Sequence, residues 1–315
     1  SPEKPESLLM AKRQIDSLAA LGLKVKVCLF EGSGLRKYWQ GYRQLKQKLG
    51  NESFDLVHAH YAYVGWVARL QIQCPLIVSF MGSDVVGNFR NKGVWRFISA
   101  AMHRMAAYLL STLCDASIVK SRRLARWTIP NKTFVIPNGV DLEVFMPLDH
   151  DQCRRSLGLK QNGKYIVFSS SEDLRKPVKR LGLALSAVEK VKTSFPEVEM
   201  TVLSGLSTNH VVQYLNAADV LLLTSYAEGS PNIIKEALAC NLPIVSVDVG
   251  DVAERILGVQ NCYISLPTPE ALAQKLCMVL QTGGRSNGRE KIGELALPRI
   301  AEQVVGVYLN SLARR

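Results

Sequence analysis

"DVLLLTSYAEGSPNIIKEALACNLPIVSVDV", Asp219 to Val249, decides the fold. It opens on an apolar run, breaks at a Gly-Ser-Pro-Asn turn and continues with helical apolar spacing as far as Cys240. After Leu242 and Pro243 it returns to a second apolar run. Strand, helix, strand in so short a space is a βαβ unit, whose two strands run parallel. Ser230 suits the N-cap, and Pro231 suits the first helical position because its missing N–H is an orphan there anyway. Asn241 suits the left-handed stop. Two carboxylates, Glu228 and Glu236, flank the helix start.

The same alternation extends in both directions. Upstream, "KVKVCLF", "FDLVHAH", "PLIVSF", "DASIVK" and "TFVIP" read as strands, separated by helical patterns such as "LRKYWQGYRQLKQKL" and "VWRFISAAMHRMAAYLLSTL". A second series, "KYIVFSS", "EMTVLSG", "DVLLLTS", "LPIVSVDV" and "CYISL", follows "NGVDLEVFMPLDHD". The expected fold class is therefore α/β, with two Rossmann-like, doubly wound domains facing across a ligand-binding cleft. The expected limits are 1–146 and 147–297, with Pro147 and its polar neighbours as the break. The amphipathic stretch 298–315 is expected to pack back across that boundary.

Composition bounds the function. At 315 residues, 47% hydrophobic and 21% charged, the chain is an ordinary globular one. No apolar run is long enough for a membrane span, and "SPEKPESLLMAKRQ" does not read as a signal peptide. Seven scattered cysteines fit free thiols in a cytoplasmic location. The net charge of +12 sits mostly in residues 1–143, where 20 Lys and Arg stand against 10 Asp and Glu. That bias suggests an anionic partner or a solvated basic face.

A helix start after a parallel strand presents free N–H groups and the positive dipole end, which suits an anion. Gly229 lets a ligand approach the backbone. Carboxylates repel phosphate, so the partners of Glu228 and Glu236 are hydroxyls. Glu236 lies five residues beyond Pro231, roughly 8 Å along the axis. A nucleotide sugar fits that layout: hexose near Glu228, diphosphate at the helix start, ribose at Glu236. Two glutamates on a plain exposed helix start are also common, so spacing alone leaves both readings open.

The wording narrows it. "EGSPNIIKEALACNLPIV" resembles the Glu, seven residues, Glu signature of glycosyltransferase family 4. "FDLVHAH", "SFMGSDV", "VIPNGVDLEVFMP", "RKPVKR" and "NAADVLLLTS" resemble further landmarks of that family, in its order. The resemblance implies a GT-B fold and retaining transfer from a nucleotide-diphosphate sugar of UDP or GDP type, with no other cofactor. The acceptor would be a saccharide or lipid-linked molecule, and the setting cell-envelope polysaccharide or glycan synthesis.

It also implies site roles. Glu228 would hold donor-sugar hydroxyls and Glu236 the ribose. Gly229, Ser230, Pro231 and Asn232 would face the phosphates. Lys179, with Arg175, would stabilise the leaving diphosphate. His60 and the turn Gly82, Ser83 and Asp84 would meet the acceptor, although Met81 stands where many relatives carry histidine. Relatives normally open with a strand before the helix matching "ESLLMAKRQIDSLAALG", and this chain starts at the loop after it.

Other chemistries have weaker signals. The Asp149–Asp151 "DHD" lies in the expected linker, so no metal is expected. "FEGSG" supplies only Gly32 and Gly34 of a dinucleotide fingerprint, the slender basis for a nicotinamide-dependent dehydrogenase. Charge alone suggests a nucleic-acid-binding protein, but no recognition module is present and no nucleic acid is expected. The helix around Arg36, Lys37, Arg43, Lys46 and Lys48 carries no acid, and it suits a peripheral position on an anionic membrane surface.

Overall fold

The computed structural model describes residues 5–32, 34–87, 93–170 and 177–314. The chain divides into two compact units, Ser1–Gly139 with Leu297–Arg315, and Val140–Ala296.

The first unit runs α1 (Pro5–Ala20), α2 (Arg36–Asn51), β1 (Val57–His60), α3 (Ala62–Ala68), β2 (Leu76–Phe80), the one-turn α4 (Ser83–Val86), α5 (Val94–Leu113), β3 (Ala116–Val119), the one-turn α6 (Arg122–Ala125) and β4 (Thr133–Val135). The second holds α7 (His150–Ser156), β5 (Lys164–Ser169), α8 (Leu181–Val191), β6 (Val198–Leu203), α9 (Thr208–Ala217), β7 (Val220–Leu223), α10 (Asn232–Ala239), β8 (Ile244–Val247), α11 (Val252–Ile256), β9 (Tyr263–Ser265), α12 (Pro269–Thr282) and α13 (Gly288–Lys291). The last helix, α14 (Leu297–Ala313), belongs to the first unit, where it packs on α1.

Both sheets are wholly parallel. The first has the order β1-β2-β3-β4 and the second β6-β5-β7-β8-β9. Strands β2, β3, β7 and β8 are buried along their whole length. Helices cover both faces of a parallel sheet, which is why these strands read as unbroken apolar runs instead of alternating ones. In the second sheet the chain leaves β5 toward β6 on one side and then returns to β7 on the other. The order therefore reverses between β5 and β7, and a crevice forms outside the carboxyl ends of strands at such a reversal.

One expected strand is missing. "KVKVCLF", Lys24 to Phe30, forms no strand, and Val25, Val27 and Leu29 stand exposed. A strand persists only with a ladder partner, and this segment is fastened sideways to α2 instead. A Cβ on Gly41 of α2 would lie 2.3 Å from the Phe30 ring, so the missing side chain is what lets Phe30 seat there. Lys26 pairs with Glu52 just past the helix.

Candidate donor and acceptor sites

The second unit's candidate site is assembled at the reversal point. After β7, the Thr224 hydroxyl donates to the carbonyls of Lys179 (2.8 Å) and Arg180 (3.1 Å). The Tyr226 N–H donates to the carbonyl of Val178 at 2.7 Å. These bonds pin the turn Pro177–Lys179, on the path out of β5, against the end of β7. Arg180 holds the left-handed conformation (φ 54°) and places its guanidinium 5.8 Å from the Tyr226 ring centre. The result is a 2.8 Å ion pair between Lys179 Nζ and Glu228 Oε1, each side chain 19% exposed. Two residues 49 positions apart in sequence are thus in contact. Arg175 lies outside the described residues.

The helix start differs in detail from expectation. Pro231 occupies the N-cap position of α10, and no side chain caps it. Ser230 is not the cap, because its hydroxyl is engaged elsewhere: it donates to Asp251 Oδ2 at 2.9 Å and accepts from Lys235 Nζ at 3.2 Å. Asp251 also accepts from Arg255 Nε at 2.9 Å. Burial is the main cause that brings the Lys235 ammonium down to about 8, against the opposing pull of Asp251 and Glu236. Glu236 is half-buried, one residue further along α10. Asn241 ends the helix at φ 56°, the stop expected of it.

Gly229 and Asn232 sit in and just after this turn, Gly229 buried and Asn232 half-buried as the first residue of α10. The turn is braced from behind by Gly250 (φ +60°). A Cβ there would stand 2.8 Å from the Gly229 carbonyl oxygen and 3.3 Å from that of Glu228. An uncapped helix start with a cation and a carboxylate at its mouth can hold an anion flanked by hydroxyls.

In the first unit, the expected acceptor residues lie at the carboxyl ends of β1 and β2. Ser83 is exposed, while Gly82 is buried at φ 122°. Asp84 is a correction. It is 2% exposed, and its carboxylate accepts from the N–H groups of Ala62 (2.8 Å), Met81 (2.9 Å) and Gly82 (2.8 Å). The carboxylate ties the two strand ends together and presents no face to a ligand. His60 is half-buried, and burial first, then Lys120, lowers its imidazole to about 4. It is therefore neutral at pH 7. His58, 4.3 Å away ring to ring, is half-buried and held within the fold, bonded to Tyr308 Oη (2.7 Å) and Ser79 Oγ (2.8 Å).

Two residues at these strand ends escaped the sequence reading. Tyr61 takes φ 90°, a strained value for a bulky side chain, and its hydroxyl lies 3.2 Å from Ser83 Oγ. Lys120, 3% exposed at the end of β3, sits close enough to act on both histidines. A non-glycine residue at positive φ leaves no mark in a sequence; a lysine after a buried strand leaves a faint one.

Elsewhere, Asp149 caps α7 by accepting from the Gln152 N–H at 2.6 Å, ordinary work for that residue. Among the described residues, no three His, Cys, Asp or Glu side chains gather as metal ligands would. Gly32 and Gly34 follow no strand, so the dinucleotide fingerprint lacks its context.

The family model for Glycosyltransferase Family 4 matches residues 11–144, and that for Glycosyl transferases group 1 matches residues 197–282. The two matches support a glycosyltransferase of the family 4 type. It is 26% identical over 240 residues to a Bacillus subtilis glycosyltransferase named for teichuronic acid biosynthesis, covering 70% of this chain and 60% of that one. It is also 26% identical over 264 residues to the D-inositol 3-phosphate glycosyltransferase of Segniliparus rotundus, covering 68% and 57%. The chain thus spans a little over half the length of these curated relatives. Among solved structures, sucrose-phosphate synthase from Thermosynechococcus elongatus aligns with a TM-score of 0.72 at 22% identity, over 89% of this chain and 79% of that one. Anabaena HepE, solved with UDP and glucose, aligns at 0.72 and 16% identity, over 93% and 88%. The chain therefore carries the two parallel-sheet α/β units of the GT-B class, the fold class expected from its sequence.

Proposed function

We propose that this chain is a retaining, metal-independent glycosyltransferase that binds a nucleotide-diphosphate sugar, of UDP or GDP type, on its second unit. The observation that carries the reading is the Lys179–Glu228 contact at the reversal point between β5 and β7, beside the uncapped start of α10. Curated relatives named as glycosyltransferases and a structural neighbour solved with UDP-glucose support it.

The charges suggest the division of labour. A diphosphate settling on the helix start draws Lys179 toward itself and away from Glu228. The released Glu228 carboxylate then accepts hydrogen bonds from donor-sugar hydroxyls. Glu236 takes the ribose diol, and Arg175 joins Lys179 on the phosphates. As the bond from the anomeric carbon to the phosphate oxygen breaks, negative charge grows on the phosphate that the displaced Lys179 and the α10 N–H groups then hold. The acceptor hydroxyl attacks the same face of the sugar. Its oxygen forms the new glycosidic bond, and its proton passes to the departing phosphate oxygen. On the first unit, neutral His60 and the Ser83 hydroxyl orient the acceptor, a saccharide or lipid-linked molecule of cell-envelope glycan synthesis. Free cysteines throughout fit a cytoplasmic setting. No helix of the described residues is long and apolar enough to cross a membrane.

The test is a panel of UDP- and GDP-sugars with and without chelator, following nucleoside diphosphate release and the anomeric configuration of the product. One sugar nucleotide is expected to be turned over, with retention and without loss on chelation. Absence of any release, together with no heat of UDP or GDP binding, rejects the reading.

A further inference from the structure

Helix α5 is apolar on both sides. Its inner face buries Ala107, Leu110 and Ser111. Its outer face carries Trp95, Ile98, Met102, Met105, Leu109 and Leu113, spaced three or four apart and so aligned in one stripe. Every one is exposed: Trp95 by 71%, Met102 by 67%, Met105 by 62% and the others by at least 40%. So long an exposed apolar stripe marks an interaction or membrane face, and none of the described residues covers it. We propose that the outer face of α5 lies in the plane of an anionic phospholipid membrane, its side chains sunk to the headgroup boundary. This surface is independent of the transferase reading.

Charge selects lipid over a second copy of the chain. From Val94 to Val140 the sequence holds Arg96, Arg104, Arg122, Arg123, Arg126 and Lys132 besides the buried Lys120, and its one acid is Asp115. The Asp115 carboxylate is occupied, accepting from the Leu76 N–H at 2.8 Å. Arg122, Arg123 and Arg126 are exposed, and Arg104 stacks 4.4 Å from the centre of the exposed Trp127 ring. Pairing two copies through this face would set one basic rim against another, whereas an anionic leaflet neutralises it. Trp95, Tyr108 and Trp127 are the side chains that favour the water–lipid boundary. Arg96, His103 and Arg104 within the helix keep it on the surface instead of across the bilayer.

The basic helix α2, the candidate from sequence, is less suited. Its outward polar side chains include Arg36, Gln40, Arg43, Gln44, Lys46 and Gln47, with Trp39 as its single large exposed apolar side chain. It stands next to α5 through the Tyr38–Tyr63–His103 ring contacts, at 6.4 and 5.9 Å, and so adds charge beside the apolar stripe.

The test uses the full chain and vesicles of phosphatidylcholine, with or without about 30% phosphatidylglycerol. Co-sedimentation is expected only with the anionic vesicles, and it should weaken at high salt. Lipids brominated along the acyl chain should quench the tryptophan emission, and Trp95→Phe should remove a measurable share of that quenching, with Trp127 accounting for the rest. The pair Met102→Asp with Met105→Asp, both at exposed positions, should cut vesicle affinity by about tenfold or more at unchanged Tm, through lost apolar burial. Failure to bind anionic vesicles at low salt overturns the proposal. So does quenching that is unaltered in Trp95→Phe. A dimer in the ultracentrifuge that the Met pair splits, with vesicles ignored, assigns the stripe to a second copy instead.

Discussion

Lys179 and Glu228 illustrate how much a residue type reveals by itself. A lysine and a glutamate beyond two neighbouring parallel strands stand out in the sequence by residue type, whereas their contact does not. The Lys179→Met variant should lower kcat by about 10²- to 10³-fold, the range for removing one preorganised charge from a developing anion. Glu228→Gln should chiefly raise the donor KM. Nucleoside diphosphate release measures both, and a wild-type kcat in Lys179→Met removes the lysine from the mechanism. Tyr61, Lys120 and Lys235 were illegible because their significance comes from burial by other elements. The imidazoles show this in pH dependence. His60 titrates near 4 in the folded chain against 6.5 for the free group, and His58 is lowered as well. The unfolded chain therefore takes up protons first, and stability falls as pH drops from 6.5 toward 4, by about 1.4 kcal/mol per pH unit for His60, with His58 acting in the same direction. Burial raises Asp84, which acts in the opposite direction at the acid end of that window. The measurement is therefore the slope difference: His60→Gln should flatten Tm against pH by about one proton, and identical slopes refute the assignment.

At the scale of elements, long periodic segments were read closely. The stretch quoted as one helix, Val94 to Leu113, is α5 without an end residue changed. Two local readings failed for the same physical reason. Lys24 to Phe30 has strand composition, and Ser230 has the chemistry of a cap, yet each is claimed by a partner outside its local pattern. Gly41 takes Phe30, and Asp251 with Lys235 takes the Ser230 hydroxyl. The loop Asp248–Asp251 therefore shapes the Glu228–Ser230 turn from behind, which Gly250 tests. Gly250→Ala adds left-handed strain and a Cβ 2.8 Å from a backbone carbonyl. Gly258→Ala adds the strain alone, at φ +71° with nothing within 4 Å. The control should cost about 1 kcal/mol, and Gly250→Ala about twice that. Gly250→Ala should also raise the donor KM, since the turn must shift. Equal Tm losses and equal KM values in the two variants would falsify the bracing role.

At the scale of the molecule, the chain closes its first unit with its last helix. Ile300, Ala301, Val304, Val307 and Tyr308 of α14 are buried, and Tyr308 holds His58 in β1 across 250 positions. The apolar moment of this stretch was visible in sequence. Its seat on β1 was not, because a hydrogen bond so distant along the chain leaves no local pattern. Deleting Leu297–Arg315 uncovers those side chains and the core beneath them. At roughly 1.5–3 kcal/mol for each large apolar side chain fully buried, the loss is on the order of 5 kcal/mol or more. That equals the whole stability of many domains, so the sheet β1–β4 should unfold. The second unit is built from Val140–Ala296 alone, with Lys179, Glu228 and the start of α10 inside it. The truncated chain should therefore keep slow amide exchange in β5 to β9 and lose it in β1 to β4. It should still release heat on titration with whichever of UDP or GDP the full chain binds. Protected amides in β2 and β3 after truncation would show that α14 is dispensable to the unit it completes. Loss of nucleotide binding from a still-protected second unit would show instead that the donor site needs residues beyond 140–296.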